Sequence, residues 1–130
     1  MRGYVLQALA ELEHLFPSKH YNSPSRHHSP IFGAKIQLVQ YDDTPALTQD
    51  KIKYIQRTIG KFLYYARAID NTMMHALNDI AAAASTGTEA TRKATQYFLN
   101  YAASNPDAKI IFRKSDMILR TDSDAAYLVC

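Results

Sequence analysis

A chain of 130 residues, 47% hydrophobic and 21% charged, has apolar material for one modest domain or pieces of two, which excludes wholesale disorder. The net charge of +3 mildly favours an anionic partner such as nucleic acid. The single Cys130 rules out an intrachain disulfide, no apolar run is long enough for a membrane helix, and the opening residues do not follow a secretory pattern, so a soluble intracellular protein is expected.

In chain order, Val5, Leu6, Leu9, Leu12 and Leu15 recur at helical spacing, which predicts an amphipathic helix from Tyr4 to about Leu15, stopped at Phe16-Pro17. Residues 17–30 hold three prolines, four serines and three histidines, the composition of an irregular connector. Lys35 to Val39 has the texture of a short strand that ends in Tyr41-Asp42-Asp43-Thr44-Pro45. The longest helix is predicted over 49–69. Ile52, Ile55, Ile59, Phe62, Leu63, Ala66 and Ile69 form its apolar stripe, and Lys53, Arg57, Lys61, Tyr64 and Arg67 lie on the opposite arc.

Asp70-Asn71-Thr72 breaks that helix and offers caps for the next, from Met73 to about Ala84, with Met73, Leu77, Ile80 and Ala84 on one side. After Ser85-Thr86-Gly87, Thr88 and Glu89 start a further helix to about Ser104, expected to bury Ala90, Ala94 and Phe98, with Tyr97 and Tyr101 as further candidates for burial. Asn105-Pro106-Asp107 stops it. The texture then turns β-like: Lys109–Arg113 and Met117–Thr121 read as two strands about a Lys114-Ser115-Asp116 turn. The expected fold class is therefore mainly α with a short C-terminal β-hairpin.

Tyr41-Asp42-Asp43 invites a polymerase reading, in which carboxylates hold two divalent ions roughly 3.5–4 Å apart. Polymerases of the reverse transcriptase type use Tyr-x-Asp-Asp between two strands. Here the intervening residue is missing, Thr44-Pro45 leads into helix, and Glu11 and Glu13 sit on a helix, so an acidic loop is the reading. The second acidic pair, Asp122 and Asp124, stands at a strand end, where turn formation is the ordinary role of aspartate. The basic arc of the long helix suits a phosphate backbone, with Tyr64 placed to pack on sugar or base, although a solvated face is the commoner reason for such charges. His14, His20, His27 and His28 lack a zinc-site spacing, Met73-Met74 and Tyr64-Tyr65 read as core and rim, and there is no glycine-rich phosphate loop or catalytic triad.

Several segments, in order, resemble the pol polyprotein of copia-type retrotransposons. Gly3–Leu9 resembles the helix leaving the reverse transcriptase palm. Ile55–Asp70, with Gly60-Lys61-Phe62-Leu63-Tyr64-Tyr65-Ala66, is similar to the segment after the palm, although Asp70-Asn71 stands where Arg-Pro-Asp is usual. The helix around Ala94–Asn100 resembles the one leading toward RNase H, and Leu119–Ala126 resembles the entry into that domain.

The resemblance implies four stretches: 1–16 leaving the palm, 17–48 as a connector, 49–106 as a helical thumb or connection, and 107–130 as the first strands of a truncated RNase H-like α/β domain. It implies a fragment of a longer polyprotein that would work in a cytoplasmic particle or the nucleus, gripping an RNA–DNA hybrid or primer–template beside the rest of that polyprotein. Asp122 would match the first metal-binding carboxylate of RNase H and Asp124 a supporting one, with Mg²⁺ bound only in the parent enzyme. The fragment itself is expected to hold no cofactor and to catalyse neither reaction. The rival expectation, from a different class, is a small helical protein-interaction module with no role on nucleic acid.

Overall fold

The computed structural model describes residues 3–27, 29, 33 and 42–123. The strand expected within 35–39, Tyr41 and Asp124 lie outside these residues. Among the described residues four helices carry the fold: α1 (Tyr4–Glu11), α2 (Gln49–Ala68), α3 (Met74–Ala83) and α4 (Glu89–Ser104), with a 3₁₀ turn over Asn71–Met73 leading into α3. The protein is thus mainly helical, and no helix among the described residues is long and apolar enough to cross a membrane.

Helix α2 is central and touches each of the other three. Of the expected stripe, Ile55, Phe62 and Ala66 are buried and Ile52, Ile59, Leu63 and Ile69 half-buried, while Thr58 and Tyr65 join the buried face. Asp50 in the first turn and Arg67 in the last complement the helix dipole. In one core with α2 lie Val5, Ala8 and Leu9 of α1 with Leu12 just after it, and Met73 of the 3₁₀ turn, Ala76, Leu77 and Ile80 of α3 and Ala84 just after it. Phe98 of α4 meets Phe62 edge to face, with ring centroids 5.2 Å apart and planes at 85°. Burying two such rings is among the largest single contributions available to a core of this size.

Three expectations change on meeting the structure. First, α1 ends at Glu11, not near Leu15, because Glu13 takes a left-handed backbone (φ 54°) that closes the helix. The His14 N–H donates to Leu9 O at 3.0 Å and the Glu13 N–H to Ala10 O at 3.1 Å, a Schellman pattern that satisfies the last carbonyls. Leu15 and Phe16 then point to solvent, 86% and 65% exposed.

Second, α4 is rotated relative to the expected stripe. Ala90 and Ala94 are exposed, while Thr91, Thr95, Phe98, Leu99 and Ala102 face the core. Threonine is tolerated there because its hydroxyl finds a partner on its own helix: Thr95 Oγ1 donates to Thr91 O at 2.9 Å. The Thr88 and Thr91 side chains meanwhile form a capping box at the N-terminus. Tyr101 is buried, and Tyr97 is half-buried at the margin.

Third, 109–121 carries no strand. The expected turn at Lys114-Ser115-Asp116 is not formed either: the stretch has no turn or bend, although Met117 N–H donates to Ser115 Oγ at 3.2 Å, Ile118 N–H donates to Asp116 Oδ1 at 3.3 Å, and Met117 is left-handed (φ 59°). The two runs do not pair with each other. Ile110 N–H donates to Ile69 O at 3.0 Å, and beyond it every residue from 111 to 123 is exposed.

The described stretch 17–27 of the connector is irregular, as its composition predicts, yet it and the end of the α1 segment are pinned to α4. His14 Nε2 lies 2.8 Å from Asn100 Oδ1, and Tyr21 N–H donates to Ser104 Oγ at 3.1 Å. Asn105 Nδ2 donates back to Tyr21 O at 2.8 Å, and the Tyr21 ring meets Tyr97 edge to face. Asp70 caps the 3₁₀ turn as expected, its Oδ1 accepting the Thr72 N–H at 3.2 Å and the Thr72 hydroxyl.

Candidate nucleic-acid interface

Lys53, Arg57, Tyr64 and Arg67 all face solvent along one side of α2. At 100° per residue they fall within an arc of about 80°, and at 1.5 Å per residue they extend over about 21 Å. That length matches about six nucleotide steps of one strand at 3.4 Å. Tyr64, 61% exposed, sits in the middle of the row, and its ring lies 6.4 Å from that of Tyr4 at a tilt of 56°. A row of cations with one accessible aromatic ring suits a backbone with stackable bases.

Lys61 stands apart from the others. Its ammonium is ion-paired to Glu11 of α1, and its own side chain is only 24% exposed. Tyr4 Oη also donates to Lys61 O at 2.7 Å, so this turn of α2 is an anchor for α1. The hydrogen bond and charge of Lys61, with a smaller contribution from Arg57, hold the Glu11 carboxyl below its ordinary range. Lys61 is therefore a poorer phosphate ligand than its place on the arc suggests. Its partner, fifty positions away in sequence, is set by the docking of α1 and leaves no periodic trace.

Tyrosine hydroxyls hold the α2 surroundings in place. Tyr54 Oη donates to Leu12 O at 3.2 Å, and Tyr65 Oη to Ala108 O at 3.0 Å. Burial raises the pKa of both phenols, with the Asp70 charge adding to the effect at Tyr65. The Tyr65 ring stacks on Tyr4 with centroids 5.7 Å apart and planes within 4°. The tyrosines next to the row thus serve α1 and the C-terminal segment, and Tyr64 is the one turned outward.

The acidic string near residue 42 has a structural task. Asp42 accepts the Thr44 N–H at 3.0 Å together with the hydroxyls of Thr44 and Thr88, which hold its carboxyl below the ordinary range. Thr44 Oγ1 in turn accepts the Ala90 N–H at 3.2 Å. Ala46 and Thr88 form an antiparallel bridge, flanked by Leu47 N–H to Gly87 O at 2.8 Å and Glu89 N–H to Pro45 O at 3.0 Å. Asp42 therefore ties the loop to the N-terminus of α4, a docking role that the reading as a plain acidic loop did not include.

Asp122 is exposed in irregular chain. Among the described residues, no three His, Cys, Asp or Glu side chains come together to hold a metal, and one carboxylate does not fit a two-metal centre. Sequence reading also missed an open groove between α3 and α4. It is edged by His75, Asp79, Lys93 and Tyr97, with Arg26 stacked over the Tyr97 ring at 5.6 Å. Spacing within one element does not reveal a groove shared between three. Comparison of this chain with family models, with curated proteins and with solved structures finds no match.

Proposed function

We propose that this chain is a segment of a copia-type reverse transcriptase–RNase H polyprotein whose helical unit grips an RNA–DNA hybrid through the outer face of α2. The ordered resemblance of Gly3–Leu9, Ile55–Asp70, Ala94–Asn100 and Leu119–Ala126 supports the family reading. The observation that carries the nucleic-acid role is the solvent-facing row of Lys53, Arg57, Tyr64 and Arg67. Phosphate contacts supply most of the affinity in such an interface and stacking adds a sequence-tolerant share.

On this reading, 107–130 is the opening of the RNase H-like part, whose strands would pair with the remaining strands of the parent. Asp122 would contribute one carboxylate to Mg²⁺ there, and Asp124 a second in support. The described residues alone do not furnish that centre, so the chain by itself is expected to bind hybrid and turn nothing over.

A fluorescence titration with an end-labelled RNA–DNA hybrid tests the role. Charge reversal at Arg57 and Arg67 together is expected to weaken binding at least tenfold without changing the helical circular dichroism. Unchanged affinity in that variant removes α2 as the contact face. Hybrid cleavage or primer extension by the pure chain in Mg²⁺ contradicts the truncated-enzyme reading.

A further inference from the structure

We propose that the C-terminal arm, residues 109–121, is a self-association surface that pairs with the same arm of a second copy of this chain. Ile111, Phe112, Met117, Ile118 and Leu119 are 62–92% exposed, and Ile110 is 36% exposed. Six large apolar residues exposed within ten positions far exceed the scattered apolar surface of an ordinary monomer. At roughly 150–250 Å² per large side chain, these exposures present on the order of 800 Å² from each copy. That is about what each partner gives to a stable protein–protein interface.

The pattern within the arm supports one geometry. Antiparallel pairing about Ser115 sets Phe112 opposite Ile118, Ile111 opposite Leu119, and Lys114 opposite Asp116, with every pair made twice by the two-fold axis. In the single chain the two runs do not pair with each other, and Met117 is left-handed (φ 59°) with its N–H and that of Ile118 held by Ser115 and Asp116, so pairing straightens this stretch and exchanges those local hydrogen bonds for the ladder. Both runs are rich in the β-branched and aromatic residues that suit a ladder, and past Ile110 neither run makes a backbone–backbone hydrogen bond among the described residues. Crosswise pairing between copies supplies those hydrogen bonds and covers the apolar residues together. This proposal is independent of the nucleic-acid reading, since α2 and the arm share no residue.

Sedimentation velocity over about two decades of protein concentration is the test. The intact chain is expected to pass from monomer to a plateau at dimer. Phe112→Asp with Leu119→Asp is expected to raise the dissociation constant at least tenfold, with unchanged helical circular dichroism, because both side chains lie outside the core. Lys114→Asp is expected to weaken the dimer, and Lys114→Asp combined with Asp116→Lys to restore it. A monomer at every concentration, association that never plateaus at dimer, or a dimer indifferent to the Phe112 and Leu119 changes overturns the proposal. Failure of the charge swap to restore the dimer overturns the pairing about Ser115. Loss of hybrid binding with dimerisation intact counts against the function of α2 alone.

Discussion

Replacing Phe62 by alanine removes the side chain on which α2 and α4 meet. Phe62 and Phe98 are both fully buried, and their rings sit edge to face at 5.2 Å. Deleting a buried phenylalanine costs about 3–5 kcal/mol, combining the lost transfer energy with the cavity left behind. An edge-to-face pair contributes about 0.5–1.5 kcal/mol beyond area. A domain of this size is stable by about 5–15 kcal/mol, so Phe62→Ala is expected to remove about a fifth of the total or more. Urea unfolding followed by far-ultraviolet circular dichroism reads the loss as a lower midpoint with an unchanged slope. The cycle Phe62→Ala, Phe98→Ala and the double variant should return a coupling of about 0.5–1.5 kcal/mol. A loss below about 1 kcal/mol for Phe62→Ala, or additivity of the two changes, would refute the packing described for α2 on α4.

Glu13→Gly is expected to stabilise the fold by about 1 kcal/mol, read as a rise of a few degrees in the melting midpoint, because Glu13 holds a left-handed backbone that glycine adopts freely. Gly87→Ala should lower the midpoint. Gly87 has φ 34°, and an added Cβ would lie 2.6 Å from Ile52 Cγ1. The carboxyls of Glu11, Asp42 and Glu89 are held below their ordinary values of 4.5, 3.8 and 4.5, chiefly by Lys61, Thr44 and Arg92. The folded state binds these protons less readily than the unfolded one. Their stabilisation is therefore complete above about pH 4.5 and is lost as pH falls through the lowered folded values. Glu11→Gln, Asp42→Asn and Glu89→Gln together should flatten that acid limb in thermal melts, and an unaltered limb would contradict the pairing. Glu11→Gln alone should tighten hybrid binding by releasing Lys61 to the cationic row, and unchanged or weaker binding would show that Lys61 serves α1 only.

Where one element faces one core, the residues told the story in advance. In α2 the spacing of Ile55, Phe62 and Ala66 identified the buried side and left Lys53, Arg57 and Arg67 outside. The Met73, Leu77, Ile80 and Ala84 row held for the same reason. Helix α4 misled because hydropathy counts threonine as polar, whereas a hydroxyl bonded to the preceding turn sits in a core without an orphaned donor. The end of α1 was invisible to periodicity because Leu15 continues the apolar spacing after Glu13 has already turned the backbone. The hairpin was read from β propensity, which reports fitness for a pleated, half-buried surface and needs a partner surface to act. In the candidate site, the row on α2 was legible. The Glu11 partner of Lys61 and the Thr88 partner of Asp42 were not, since both depend on how distant segments dock.

The central claim is that α2 presents a nucleic-acid contact face made of Lys53, Arg57 and Arg67 around Tyr64. The slope of log affinity for an RNA–DNA hybrid against log salt measures it most directly. Three phosphate contacts predict a slope of about −2.7 at the duplex value of about −0.9 per contact. Charge reversal of all three cations should bring the slope near zero. A wild-type slope near zero, or one that survives that reversal, would contradict the account.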